Sequence, residues 1–491
     1  ALTAIHHNPA MLAGLSGLRL QGSVGGALDH QIIRRDGVDA RGIPDGTLGE
    51  RSTLLNPGFG YFVGGGVYLE PFAVAIAAYD LGSTYRLDSD PSLRYHLAPE
   101  PDRPPLLCTR QDSEICRLNG GATTTRTDVS VAVAWNLLGR LKLGVGFHFP
   151  RLRARFAYDN STVVSGSHIE ESTIRCNRVE NPTCDERLGF RGRTAWLRSS
   201  GNRESGFDLA LTFGAAIDLS ERITLGLRWR TRPLLDGGTV TLSGDAVVCR
   251  PEEIDVAAND VLPCSVATPI DATLTQRLPQ ELAVGAAFTL GPNRLFHIDT
   301  NLYWIDLCAD SLTGAKGVRQ CTDAGAQHLS LVGLDRNSVL LPTTTRYRGL
   351  QDRFGLDVYA TYSLRSTLTV VGGAHTASPA VRPEASSAAA HDAWRFGLTI
   401  GSALRLRQSD FQLIPGYGFD AYLPTRVRGG DAAFDPGAAL TFDEKGGDLN
   451  SPEAAAILAG RGRPTNAGMY TGFVHTFMLA LRWSERSLGV E

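Results

Sequence analysis

The residues that could do chemistry in this 491-residue chain are eight cysteines, an adjacent His6-His7, a serine between glycines, one acidic run and two rows of arginine. The cysteines fall as four close pairs: Cys108 with Cys116, Cys176 with Cys184, Cys249 with Cys264, and Cys308 with Cys321. None has the CxxC spacing of a zinc or dithiol site, and no histidine accompanies a pair closely enough to complete a metal set. Each pair lies in polar, turn-rich sequence, so four local disulfides and an oxidising compartment are expected; the alternative is free surface thiols in a cytosolic protein. Gly22-Ser23-Val24-Gly25 lacks the glycine two residues before the serine that a nucleophile elbow needs. Gly58 to Gly66 does not match a dinucleotide-binding GxGxxG. His6 and His7 sit in an irregular segment where neighbouring histidines usually face solvent. Asp443, Glu444 and Asp448 depart from EF-hand spacing and read as a solvated run. The sequence therefore predicts no catalytic residue, no enzyme activity, no metal and no cofactor.

The arginine rows are Arg151, Arg153 and Arg155, and Arg228, Arg230 and Arg232. Their period of two puts each row on one face of a strand. Two readings stand side by side: a basic wall inside a pore that attracts a carboxylate or other anionic headgroup, or arginines at an outer rim that meet lipopolysaccharide or pair with loop acids. Asp208 and Asp218 are the candidate neutralising partners, and Lys142 and His148 share the inward phase of the first row's strand.

The elements that position these residues are strands. Val129, Val131, Val133 and Trp135 alternate with Asp128, Ser130, Ala132 and Ala134. After a short turn, Leu141, Leu143, Val145, Phe147 and Phe149 hold one face. The apolar set then becomes Leu152, Ala154, Phe156 and Tyr158, a one-residue slip that predicts a bulge at Pro150 and turns the first arginine row inward. The stretch from Gly58 to Leu87 is the sharpest hairpin. Phe59, Tyr61, Val63, Val67 and Leu69 face one way and Gly58, Gly60, Gly64 and Gly66 the other, with a turn at Glu70-Pro71. On its return strand Phe72, Val74 and Ile76 give way to Tyr79, Leu81 and Tyr85, which predicts a second bulge or kink at Ala77 and Ala78.

About fourteen such strands can be counted, joined alternately by turns of a few residues and by long loops, and every cysteine pair falls in a long loop. Mean hydropathy is −0.09, and no apolar run approaches the roughly 18 residues of a spanning helix. Alternating strands of a membrane barrel average out on such a scale. A net charge of −3 without a basic tract excludes nucleic acid as a partner. The expected fold is all-β: a 14-stranded antiparallel transmembrane β-barrel, residues 17–491, with disulfide-containing extracellular loops, preceded by residues 1–16, which lack alternation and which the resemblance given below implies to be a short N-terminal plug. A soluble sandwich or propeller would not explain the regular alternation of long and short connections. Ala1 opens a mature-looking segment, as expected once a signal peptide has been removed. A short helix is predicted at Ser451 to Leu458.

Three motifs carry a resemblance. Asn8-Pro9-Ala10 before the first strand looks like the NPA motif that ends the plug of the FadL family of outer-membrane long-chain fatty-acid and hydrophobic-compound transporters. Leu278-Pro279 to Gly285 is similar to that family's LPxxLxxG segment, and the slip at Ala77 and Ala78 matches its third-strand kink. The resemblance implies that Asn8, Pro9 and Ala10 belong to a hatch, that Ala77 and Ala78 border a lateral gap, and that hydrophobic or amphipathic small molecules are captured among outer loops and diffuse sideways into the membrane. It implies an integral protein of a Gram-negative outer membrane, both termini periplasmic, in contact with outer-membrane lipid and lipopolysaccharide. Only seven residues precede Asn8, so the plug is expected to be incomplete, and the chain does not end on the aromatic residue usual for barrel assembly. The alternative is a structural or docking barrel that binds other outer-membrane or periplasmic subunits through its braced loops.

Overall fold

The computed structural model describes residues 2–38, 44–80, 83–85, 121–159, 191–194, 197–199, 208–234, 238–249, 254–255, 260–261, 267–291, 295–307, 311–313, 319–321, 326–332, 339–347, 350–365, 367–383, 386, 392–406, 410–428 and 468–485. Fourteen antiparallel strands close into a barrel. They are β1 (Leu18–Val38), β2 (Pro44–Leu69), β3 (Phe72–Asp80, resumed at Ser83–Tyr85), β4 (Gly121–Leu137), β5 (Leu141–Asp159), β6 (Arg191–Thr194, Leu197–Ser199 and Ala210–Ser220) and β7 (Ile223–Arg230 and Thr239–Cys249). The circuit continues with β8 (Ala267–Arg277 and Gln280–Leu290), β9 (Phe296–Asp306 and Ala326–Val332), β10 (Val339–Tyr347 and Arg353–Arg365), β11 (Leu368–Ala377), β12 (Arg395–Arg405), β13 (Phe411–Val427) and β14 (Gly468–Ser484). Each strand pairs with its sequence neighbour, and β14 pairs back onto β1 from Arg19↔Ser484 to Arg35↔Gly468, so the circuit of strands closes. Leu18 and Ser484 lie at the end that carries the short turns, such as Leu138 to Arg140, where Gly139 holds φ +69°.

Alternation divides the side chains between two environments. Outward residues at the level of the short turns and above are large, apolar and uncovered: Phe59 is 65 % exposed, Leu398 64 % and Ile400 60 %. Inward residues of the same strands, among them Asp128, Ser130 and His148, are fully buried. Aromatic residues edge the belt. Phe72 stacks on Trp135 and Phe296 packs beside Tyr362 near the short turns, while Phe213 stacks on Trp229 farther up. A greasy exterior with aromatic edges around a polar interior is what hydrocarbon solvent demands, and the closed hydrogen-bond circuit satisfies every strand. The chain is an integral membrane barrel; among the described residues no helix is long and apolar enough to cross.

The two expected bulges are absent. The β4–β5 register runs unbroken from Leu137↔Leu141 through Asp128↔Pro150 to Gly121↔Ala157. The β2–β3 register runs unbroken from Leu69↔Phe72 through Gly64↔Ala77 to Tyr61↔Asp80. What changes is the surroundings. Above Pro150, Leu152 and Ala154 continue the inward phase and are buried, while Arg151 and Arg153 continue the outward phase and are exposed. Val240, Leu242, Ala272 and Leu274 are likewise buried and inward, with Leu242 directly opposite Leu274, while Ser243 beside them is exposed. The barrel thus exchanges its polarity at the rim of the belt: polar inside and apolar outside below, apolar inside and polar outside above. A sequence that keeps one register across such a boundary imitates a slip. On β3, Tyr79 points into the bore with Ala73, Ala75 and Ala77 because its hydroxyl has partners there.

β6 to β10 are each interrupted at this boundary. Leu278-Pro279, expected to open a strand, stands between the two halves of β8, where Pro279 has no N–H to give to a ladder and the Leu278 amide donates to the Gly238 carbonyl at 3.0 Å. Among the described residues the β2–β3 register ends at Tyr61↔Asp80, whereas β2 stays paired with β1 as far as Val38↔Pro44, and Ser83–Tyr85 pairs with β4 while staying close to β2. The predicted helix at Ser451 to Leu458, the acids Asp443, Glu444 and Asp448, and six of the eight cysteines lie outside the described residues. For Cys249 and Cys321 only the backbone is described, at the end of β7 and in a two-stranded turn.

Candidate functional site

Residues 2–15 lie against the inner wall. α1 (Ala4–His7) is followed by a 3-10 turn (Pro9–Gly14), with Pro9 at its first position where no N–H is required. Leu2, Ile5, Leu12 and Leu15 pack with Phe62 and with the alanines of β3 and β4, Ala73, Ala75, Ala77, Ala132 and Ala134. Small inward residues on the wall leave room for this segment, so the sequence pairs an alanine-faced wall with leucines at its N-terminal end.

Asn8, Pro9 and Ala10 sit on β5, β6 and β7. The Asn8 side chain accepts the Ala10 amide at 3.1 Å, capping the turn, and its Nδ2 donates to the carbonyls of Ala215 and Leu227 at 3.3 and 3.2 Å. Beneath it, Gly144 and Gly214 are directly opposed across β5 and β6. A Cβ on Gly144 would stand 2.4 Å from the Ala10 nitrogen and the Pro9 carbonyl carbon, and one on Gly214 would stand 2.2 Å from Asn8 Oδ1. The N-terminal segment therefore meets bare backbone, an approach that only glycine allows. The NPA triplet is the sequence-predicted feature whose geometry is most fully built.

Above the hatch lies a polar collar. His6 Nδ1 and His148 Nδ1 each lie 3.2 Å from the Tyr79 hydroxyl. His148 also bonds Ser130 Oγ at 2.7 Å through Nδ1 and Thr212 Oγ1 at 2.8 Å through Nε2. Arg230 donates to Asp128 at 2.7 Å, and Arg126 grips the same carboxylate with two bonds of 3.0 Å. Arg228 donates to Glu281 at 3.0 Å and to the His6 carbonyl at 3.4 Å, and Arg232 donates to Asp306 at 2.8 Å. Ser130, His148 and Asp128 do not form a hydrolytic triad: His148 spends both ring nitrogens on hydroxyls, and Asp128 is held by two arginines rather than by the histidine.

The predicted basic wall is thus divided. Arg228, Arg230 and Arg232 face inward, but each is neutralised by a carboxylate. Arg151 and Arg153 face outward, because Pro150 introduces no slip. The side chain of Arg155 lies outside the described residues. Asp218, expected to balance the arginines, instead pairs with Lys142 at 2.7 Å and accepts from Thr224 at 2.7 Å. Ala77 and Ala78 are paired in unbroken register; Ala77 packs with Leu2, Ile5 and Leu12 of the N-terminal segment. Ala78 lines an outward apolar hollow of about 780 Å³ with Leu20, Gly22, Val63, Gly65 and Ile76, beside the point where β2 and β3 stop pairing. The collar escaped the sequence reading, although Asp128, Ser130 and His148 share the inward phase of β4 and β5.

His6 should make the docking of residues 2–15 pH-dependent. Burial, the neighbouring His7 and the cations Arg230 and Arg228 hold the His6 pKa well below 6.5, with His148 adding to the effect. A released hatch would return it to about 6.5, so the released form binds more protons between those values. Docking should be strongest above about pH 6.5 and weaken as pH falls below it. Hydrogen exchange of residues 4–12 should show protection falling with acid in the native protein and a flatter profile in His6→Gln; equal profiles would remove His6 from the coupling.

No family model and no curated protein matches the chain. Its fold matches solved structures. A Pseudomonas aeruginosa FadL homologue aligns with a TM-score of 0.64 at 12% identity over 98% of this chain and 93% of its own. The Ralstonia pickettii toluene transporter TbuX aligns at 0.60 and 10% identity over 99% and 94%, and the Pseudomonas putida toluene transporter TodX at 0.57 and 10% over 98% and 93%. At such identities the likeness is one of architecture, and with fourteen strands, an inward N-terminal segment and closure of the last strand on the first, this chain has the FadL-family fold.

Proposed function

We propose that this barrel is an outer-membrane channel for the uptake of hydrophobic or amphipathic small molecules, without enzyme activity. The exchange of polarity at the rim supports this most directly. The inward faces above the belt carry Leu152, Val240, Leu242 and Leu274, packed out of contact with water, so the interior there is apolar and suits an apolar solute. Below them the polar collar and the hatch, residues 2–15, close the bore to ions and water. The solute leaves sideways where β2 and β3 cease to pair, into the apolar hollow beside Ala78. On this reading the lateral exit lies just above Ala77 and Ala78. The outer loops, braced by the disulfides Cys108–Cys116, Cys176–Cys184, Cys249–Cys264 and Cys308–Cys321, make the first capture, and both termini are periplasmic. The solved structures of similar fold include toluene transporters, which fits an apolar cargo.

The test is transfer of an environment-sensitive fluorescent fatty acid or naphthalene derivative into liposomes carrying the purified barrel. The native protein should accelerate transfer, and a disulfide stapling β2 to β3 just above Tyr61 and Asp80 should abolish the acceleration. No acceleration, together with stable capture of another outer-membrane or periplasmic subunit by the loops, would favour the docking role instead.

A further inference from the structure

The outward arginines form a group of their own. Arg153 on β5 is directly opposite Arg198 on β6, and Arg151 stands two residues below Arg153 on the same face. All three are exposed, and among the described residues none has a carboxylate partner. Opposed like charges on neighbouring strands repel, and a counter-charge between them relieves that repulsion. Their flanking outward positions supply hydroxyls rather than acids: Thr127 opposite Arg151, Thr125 opposite Arg153 and Ser243 opposite Arg198.

Their height selects the counter-charge. Below Arg151 the outward residues of β5 are Leu141, Leu143, Val145, Phe147 and Phe149. Nine residues of strand span about 30 Å along the chain at roughly 3.3 Å each, and about 23 Å along the membrane normal at a tilt near 40°. That nearly fills the ~25 Å apolar band of a membrane barrel, so the guanidinium groups begin where lipid headgroups lie. We propose that Arg151, Arg153 and Arg198 form a binding site for the phosphate-bearing headgroup of an outer-leaflet lipid, whose acyl chains lie over Phe147 and Phe213. Guanidinium forks suit phosphate oxygens, and three cations in one patch suit a headgroup with more than one phosphate. This site is independent of the cargo and rests only on the placement of the belt.

The test is native mass spectrometry of the full barrel titrated with bis-phosphorylated lipid A, with fully dephosphorylated lipid A as comparison. The double variant Arg153→Gln/Arg198→Gln should bind the bis-phosphorylated lipid about 25-fold more weakly, about fivefold for each arginine near a charged surface. The dephosphorylated lipid should bind both proteins equally and weakly. Arg34→Gln/Arg51→Gln, which removes an opposed, exposed arginine pair from β1 and β2, is the charge control and should bind like the native protein. Unchanged binding by the first variant, equal losses in both, or native binding of the dephosphorylated lipid would each overturn the proposal. Heat-modifiable gel mobility establishes that every variant is folded.

Discussion

Gly144→Val should release the hatch while the barrel stays intact. The substitution drives a branched side chain into the backbone of Pro9 and Ala10, 2.4 Å from where its Cβ would lie, and neither neighbour can yield as a flexible side chain would. Overpacking of this kind costs about 1–3 kcal/mol, occasionally more. Here the cheapest relief is for the N-terminal segment to leave, since β5 is fixed on both sides by its ladders with β4 and β6. At 2–3 kcal/mol the released population rises about 30- to 150-fold, because each 1.4 kcal/mol is a factor of ten. Liposome leakage of a small ion should rise by a comparable factor and planar-bilayer recordings should show openings absent from the native protein. Gly139→Val, in a turn where an added Cβ meets nothing, adds the same side chain away from the hatch and should leave leakage at the native level despite the strain of its positive φ. Equal leakage in Gly144→Val and native protein would mean that the segment does not close the bore.

Asp128→Ala should be the most destabilising single change in the collar. Asp128 is fully buried and neutralises Arg230, itself 3 % exposed, while also holding Arg126. Removing the carboxylate leaves a buried guanidinium with no counter-charge, a loss of about 3–5 kcal/mol. Lys142→Met at the Lys142–Asp218 pair, where both side chains retain solvent contact, should cost at most about 1 kcal/mol. Urea unfolding in detergent or lipid, followed by tryptophan fluorescence, separates the two. A cost below 1 kcal/mol for Asp128→Ala would show that water reaches Arg230 and that the collar is wetter than its burial implies.

Much of this architecture can be read from alternation alone. Val129 to Trp135 and Leu141 to Phe149 announce the belt because hydrocarbon and bore impose opposite preferences on successive residues. Asn8-Pro9-Ala10 is legible because a capping residue followed by proline admits few conformations. The change of phase at Pro150 was misread because period-two reasoning presumes that each face keeps one environment along the whole strand. The wall violates that presumption where it leaves the membrane, so Arg151 and Arg153 exchange sides relative to expectation without any backbone irregularity. Tyr79 misled in the same way: a large ring looks like an outward residue until its hydroxyl partners are known. Those partners, His6, Ser130 and His148, come from three separate stretches of chain, and nothing in their local spacing joins them. The carboxylates that meet Arg228, Arg230 and Arg232 are also contributed from elsewhere on the wall, so ion pairing is the part of the site that depends most on tertiary geometry.

The closure of β14 on β1 over Arg19↔Ser484 to Arg35↔Gly468 has a consequence for biogenesis. β14 supplies the stave that finishes the cask, so a chain without Gly468–Ser484 would offer two raw rims of peptide groups to the membrane, one on β1 and one on β13. Neither rim can be solvated by acyl chains. The cask therefore stays unsealed until that stave is in place, whatever the order in which the others insert.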